Sequence, residues 1–279
     1  MLDGLSFGKS VKEHDEHLHE TLHKLQEVNL TLNEDKCEFA KPSVASLGTI
    51  VNSEGIQADP NKVEAVTEMA APKDQSELRR FLGMVNQLSK FQPHIPELTK
   101  PLRDLLSTKN HWTWGKIQQH AFSSVKKRLS STPTLTLYDG NRHTKLSTDA
   151  SFYGLGAVLL QKHDDDQRRP VAYASRAMSP TEQRYAQIEK EALGITWASD
   201  CFADYLTGRK FHIETDHKPL VPLLSTKNQE ELPAREQRLR MRMMRFSYSI
   251  SHVSGKALYT VDALSHASVV KPAGRKARK

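Results

Sequence analysis

The chain has 279 residues, 26% of them charged and 37% hydrophobic, the balance of an ordinary globular protein with length for about two domains. No apolar run approaches the ~20 residues a membrane-crossing helix needs, and Met1–Ser10 lacks the basic-then-apolar pattern of a signal peptide. A formal net charge of +7 and a pI of about 9.3 favour a polyanionic partner over a membrane.

Ser10-Val11-Lys12-Glu13 is a capping box, and Leu18, Leu22, Leu25 and Val28 follow at helical spacing, so a helix is expected over about 11–27. Leu30–Asn33 and Ser46–Val51 read as short strands. Asp74-Gln75-Ser76-Glu77 starts a second helix, whose apolar face is Leu78, Phe81, Leu82, Val85 and Leu88. Leu98, Leu102, Leu105 and Leu106 mark a third, with Pro101 tolerable only near its first turn. Ala121, Phe122, Val125 and Leu129 mark a fourth, and Trp112 and Trp114 read as packing residues of this helical unit. Ser130-Ser131-Thr132-Pro133 breaks the pattern and is the expected domain boundary.

Beyond it, strands are expected at Lys145–Asp149, Gly156–Gln161 and Pro170–Ser175. A long helix follows from about Thr181 to Leu206, with Tyr185, Ile188, Ala192, Ile195 and Phe202 on its apolar face. Then come a strand at Lys210–Thr215, a short helix at Pro219–Leu224 and a basic helix at Arg235–Arg245. A strand at Phe246–Val253 and a last helix at Thr260–Ser265 complete the order, an α/β pattern with a mixed five-stranded sheet and flanking helices. The lysine- and arginine-rich tail has no large apolar residue after Val270 and is expected to be disordered. Cys37 and Cys201 have no second Cys or His at ligand spacing; they read as buried thiols in a reducing compartment, the cytoplasm or nucleus.

Four acids stand out. Asp149 lies on the first strand of the α/β region, Asp216 ends the fourth, and Asp262 enters the last helix. Glu191 lies on the long helix between Ile188 and Ile195, beside its apolar face, where an acid is costly unless paired or metal-bound. Phosphodiester hydrolysis needs an activated water and charge stabilisation on the leaving oxygen, and two cations about 3.5–4 Å apart supply both. Hard cations such as Mg²⁺ take oxygen ligands, and clustered carboxylates need such ions because their charges repel. Taken singly, each acid is weak evidence, because a lone Asp at a strand end is more often a cap or turn former and a helical Glu is usually solvated.

Longer strings add to this: Leu30–Phe39 (LTLNEDKCEF), Glu77–Asn86 (ELRRFLGMVN), Pro101–Leu106 (PLRDLL), Thr148–Gln161 (TDASFYGLGAVLLQ), Tyr185–Ala192 (YAQIEKEA), Thr215–Leu220 (TDHKPL) and Val261–Ser265 (VDALS). With them the chain resembles, over residues 1 to about 268, the C-terminal part of the reverse transcriptase–ribonuclease H region in the Pol polyprotein of gypsy-type LTR retrotransposons. That resemblance implies the end of a polymerase palm in 1–66, a thumb-like helical unit in 67–132, a ribonuclease H domain in 133–268 and a basic tail in 269–279. The hairpin that grips the primer end would be Ala45–Asn52. The catalytic carboxylates fall on Asp149, Glu191 (rather than Glu189), Asp216 and Asp262, which would hold two Mg²⁺ ions, or Mn²⁺ in their place. His252, ten residues before Asp262, falls where relatives carry a product-release histidine. The implied substrate is an RNA/DNA hybrid, with other Pol segments as partners.

Met1-Leu2-Asp3-Gly4 falls where the family has Tyr-x-Asp-Asp, and Gly4 has no side chain to ligate metal, so no polymerase activity is expected of this chain. Ser46, Ser254 and His266 depart from the family pattern and read as marks of a decayed or repurposed copy. Arg235, Arg238, Arg242 and Arg245 share one helix face, suited equally to phosphate contacts and to plain solvation. Gly154-x-Gly156 lacks a third glycine and reads as a hairpin turn, and His163-Asp164-Asp165-Asp166 as a solvated loop rather than a metal cluster. The alternative to a hybrid-cleaving endonuclease is a non-catalytic nucleic-acid-binding remnant. An integrase is disfavoured because no zinc-binding His/Cys set precedes the core.

Overall fold

A computed structural model describes residues 5–8, 10–46, 48–92, 95–107, 110–131 and 133–254. The chain divides into two compact units, 1–53 and 54–279. The expected boundaries at 66/67 and 132/133 therefore fall inside the second unit.

The first unit holds α1 (Val11–Glu27), started by Ser10, whose side chain accepts from the Glu13 N–H at 3.2 Å. None of its residues is buried. The expected strand at Leu30–Asn33 does not form, and Glu34–Lys36 make a 3₁₀ turn instead. The strand expected at Ser46–Val51 is an antiparallel hairpin, β1 (Ser43–Ser46) with β2 (Thr49–Asn52). Its turn includes Gly48 at φ 77°, a conformation that costs glycine nothing.

The second unit opens with β3 (Gly55–Ala58) and α2 (Pro60–Thr67), neither of them expected from hydrophobic periodicity. Asp59 caps α2 and Pro60 occupies its first turn, where a missing N–H costs nothing. Then come α3 (Gln75–Leu88), α4 (Ile95–Asp104) and α5 (Lys116–Leu129). Asp74 accepts from the Glu77 N–H at 2.8 Å, as its sequence position required. Helix α4 begins earlier than the leucine pattern indicated, so Pro101 lies well inside it rather than near its first turn.

The sheet follows in the order β6-β5-β4-β7-β8. Its strands are β4 (Thr144–Ala150), β5 (Gly154–Lys162), β6 (Arg168–Ala177), β7 (Lys210–Thr215) and β8 (Ser247–His252). The β6-β5-β4 meander is antiparallel, whereas β7 runs parallel to both β4 and β8. The expected long helix is broken. Glu182–Arg184 form a 3₁₀ turn, α6 spans Gln187–Cys201, and α7 (Ala203–Leu206) restarts after Phe202. Two further helices, α8 (Leu220–Ser225) and α9 (Ala234–Met243), lie between β7 and β8 in the chain. The helix expected at Thr260–Ser265 and the basic tail lie outside the described residues.

Strand β5 shows why its sequence does not alternate. Leu155, Ala157 and Leu159 join a core with Ala192, Ile195 and Ala198 of α6 and Leu239 of α9. Val158 and Leu160, with Tyr173 of β6, join the opposite core, built from Phe81, Leu102 and Phe122 of α3, α4 and α5. A strand covered on both faces is apolar throughout. Trp112 and Trp114 stack at 6.1 Å against this second core, as expected of packing residues. Cys37 is half-buried and Cys201 exposed, which corrects the expectation of two buried thiols.

Candidate active site

The parallel β4–β7 pair brings two of the acids together. Ser147 is paired with Glu214, and the same register continued by two residues sets Asp149 level with Asp216 just past the end of β7. Neighbouring strands lie about 4.8 Å apart. Asp149 is the one exposed residue of β4, and Asp216 is exposed as well. His252 is paired with Thr215, so it stands at this same end of the sheet.

Helix α6 supplies the third acid. Gln187 Nε2 reaches the Ala150 carbonyl at 3.4 Å, and a Cβ on Gly194 would come within 4.0 Å of the Ala150 Cβ. Gln187 and Gly194 lie four residues before and three after Glu191, on the same helix face. Glu191 therefore faces the end of β4. It is only 7% exposed, and Gln187 Nε2 donates to its Oε1 at 2.8 Å. Burial pushes the Glu191 carboxyl up to about 8; the Asp149 and Asp216 charges add to the rise and the Gln187 hydrogen bond opposes it. Glu189, two residues earlier, is otherwise engaged: it accepts from the Ala186 N–H at 3.0 Å and pairs with Arg235 at 2.6 Å.

These donors are all hard oxygens, and a carboxyl that holds a proton near neutral pH for want of a counter-charge is one a divalent cation would readily deprotonate. In chemistry the set fits Mg²⁺ or Mn²⁺. Among the described residues, no three His, Cys, Asp or Glu side chains are arranged to hold an ion. The fourth acid, Asp262, lies outside the described residues, as do Asp3 and Gly4.

Residues 114–213 match the family model described as the RNase H-like domain found in reverse transcriptase. Two foamy viral protease-reverse transcriptase structures superpose at TM-score 0.70. One, the dRH form in complex with ds DNA, is 20% identical and covers 88% of this chain and 44% of its own. The other, in complex with RNA/DNA hybrid, is 18% identical and covers 98% of this chain and 36% of its own. The fold is ribonuclease H-like. In sequence, the chain is 37% identical over 267 residues, 95% of its length, to the transposon Tf2-3 polyprotein of Schizosaccharomyces pombe. It spans about a fifth of the length of that relative. Similarity to a transposon polyprotein thus extends along almost the whole chain.

The basic helix beside this ribonuclease H-like sheet is largely engaged within the molecule. Arg235 pairs with Glu189 and lies over the Tyr185 ring at 3.9 Å. Arg242 and Arg245 both pair with Asp200 of α6. Arg238 Nε donates to the Ala234 carbonyl and has no acidic partner among the described residues. The acidic loop is paired in the same way: Asp164 with Arg142, Asp165 with Arg169 and Asp166 with Lys162. Gly154 opens β5, in keeping with a hairpin turn rather than a phosphate loop.

Periodicity and motif did not single out Gln187 or Ser151. Gln187 was findable, because it precedes Glu191 by one helical turn. Ser151 organises the β4–β5 turn, and its Oγ accepts from the Tyr153 and Gly154 N–H groups at 3.3 and 3.0 Å.

Proposed function

We propose that this chain is a metal-dependent endoribonuclease that hydrolyses the RNA strand of RNA/DNA hybrids, as part of a gypsy-type retrotransposon reverse transcriptase. The palm-end and thumb assignments of 1–66 and 67–132 belong to the same reading. One observation carries it: a buried glutamate on α6, pushed up to about 8, faces Asp149 and Asp216 at the ends of two parallel strands. A carboxyl whose ionisation is disfavoured first by burial and then by neighbouring like charges is a functional-site signature.

Held by Asp149, Glu191, Asp216 and Asp262, two Mg²⁺ ions would supply an activated water and charge stabilisation at the leaving 3′-oxygen. Within the chain, Gln187 orients the Glu191 carboxyl by donating to Oε1. His252, which stands at the same sheet end, would assist product release in this reading. The paired Arg242 of α9 and Arg245 just beyond its end are exchangeable, because exposed ion pairs are worth only about 0–1 kcal/mol, and phosphates of a bound duplex would compete for them.

The deciding experiment is cleavage of a labelled RNA/DNA hybrid in Mg²⁺ by the wild type and Asp149→Asn. The wild type is expected to cut the RNA strand, with the variant slower by roughly 100-fold or more. Equal cleavage by both proteins overturns the reading. Binding without cleavage in either Mg²⁺ or Mn²⁺ establishes the non-catalytic alternative.

A further inference from the structure

The turn that follows Asp149 is held from two sides. On one side stands α6, which also carries Glu191: Gln187 reaches the Ala150 carbonyl, and Lys190 Nζ lies 4.9 Å over the Phe152 ring. On the other stands α4, which precedes the matched region 114–213. From its first turn, Glu97 Oε1 accepts a hydrogen bond from Ser151 Oγ at 2.8 Å. One turn on, Lys100 Nζ lies 4.6 Å over the Tyr153 ring.

The Glu97–Ser151 contact is chemically specific. A serine hydroxyl has one proton. Ser151 Oγ can donate it to Glu97 or to the Gly154 carbonyl at 3.1 Å, and the carboxylate is the closer and stronger acceptor. Its lone pairs then take the Tyr153 and Gly154 N–H groups. The carboxylate passes so close that a Cβ on Gly154 would lie 2.7 Å from Glu97 Oε1. Glu97 Oε2 is buried, and no donor among the described residues reaches it. One carboxylate oxygen thus engages the turn while the other carries an uncompensated desolvation cost. Sequence-local stability does not explain a glutamate kept there, 54 residues before the serine it holds.

We propose that Glu97 is a positioning residue for the hydrolytic site. Through Ser151 it fixes the β4–β5 turn, and so the place of the Asp149 carboxylate relative to Glu191 and Asp216. The proposal rests on the ribonuclease reading above. Glu97→Ala removes the acceptor, Glu97→Gln keeps an acceptor oxygen at the same reach, and Ser151→Ala removes the donor. All three are compared with wild type in the full chain, with thermal unfolding as the check on folding. Glu97→Ala is expected to lower kcat for hybrid cleavage about 10-fold or more, because small displacements of a reacting group are costly. KM for the hybrid should stay within about twofold, since no substrate-binding group changes. Glu97→Gln should recover most of kcat, and Glu97→Ala/Ser151→Ala should be no slower than the slower single variant. Mn²⁺ affinity without substrate should weaken several-fold in Glu97→Ala.

An unchanged kcat and Mn²⁺ affinity in a folded Glu97→Ala overturn the proposal. So does a Glu97→Gln as impaired as Glu97→Ala, which would mark a purely electrostatic or packing role. If the wild type binds Mn²⁺ but does not cleave, the ribonuclease reading fails, and Glu97 is judged on Mn²⁺ affinity alone. If the wild type does neither, both fail.

Discussion

At the scale of single residues, Glu191 is held at a cost. Its carboxyl is 7% exposed and is raised from 4.5 to about 8, first by burial and then by Asp149 and Asp216. A group whose folded pKa lies above its unfolded value stabilises the fold fully below the unfolded pKa and loses that contribution as pH rises through the folded one. The metal-free wild type should therefore lose stability between about pH 4.5 and 8 relative to Glu191→Gln. At pH 8–9 the variant should be the more stable, by an amount of the order of a few kcal/mol, and the gap should narrow toward pH 5. Adding Mg²⁺ should close the gap at high pH by stabilising the wild type alone. Thermal unfolding across pH, with and without Mg²⁺, checks this; a gap that does not depend on pH would refute it. Asp149, Glu191 and Asp216 could be proposed from the sequence because each sits in a distinctive local string. The Glu97–Ser151 contact could not, because nothing local in IPELTK announces which residue will donate to the carboxylate.

At the scale of elements, capping chemistry was the most reliable guide. Ser10 and Asp74 start their helices as their side chains dictate. Periodicity misled where two short elements share one apolar pattern. Residues 181–206 carry a single helical stripe, but Tyr185 and Ala186 are extended and Phe202 leaves the helix, so three pieces form. The basic stripe was visible too, but α9 ends at Met243, so Arg245 lies beyond the helix and does not share its face as expected, and the engagement of these arginines by Glu189 and Asp200 is a tertiary fact. A comparable long-range device ends α5. Gln92 is 2% exposed, and its Nε2 donates to the Arg128 and Ser131 carbonyls at 2.9 and 3.1 Å. Carbonyls at a helix end lack the intrahelical donors of the interior, and this one amide serves both the Arg128 carbonyl in the last turn of α5 and the Ser131 carbonyl just beyond it. Gln92→Ala should cost about 1–3 kcal/mol. Gln92→Glu should cost more, because a carboxylate offers two carbonyls only repulsion. Denaturant titration of both variants tests the order, and Gln92→Glu as stable as wild type would refute it.

At the scale of the whole molecule, the second unit is built around one sheet with a core on each face. The α6 face belongs to the ribonuclease H-like fold, and its residues could be read from strand and helix patterns. The other face could not be assigned from sequence, because an apolar strand such as β5 does not reveal what covers it. Val158, Leu160 and Tyr173 are 3%, 2% and 4% exposed, beneath residues of α3, α4 and α5 that precede the expected boundary at 132/133. Burying such a side chain is worth roughly 1.5–3 kcal/mol, so losing the cover from all three costs an amount comparable with a domain's net stability of about 5–15 kcal/mol. A fragment 133–279, which keeps every proposed catalytic carboxylate, should therefore unfold at lower denaturant than 54–279 and bind a hydrophobic dye that the longer fragment does not. It also lacks Glu97, so whatever folded population remains should cleave hybrid with a reduced kcat. Equal unfolding midpoints for the two fragments, measured by circular dichroism, would show that the helices before residue 133 contribute nothing to the sheet they cover.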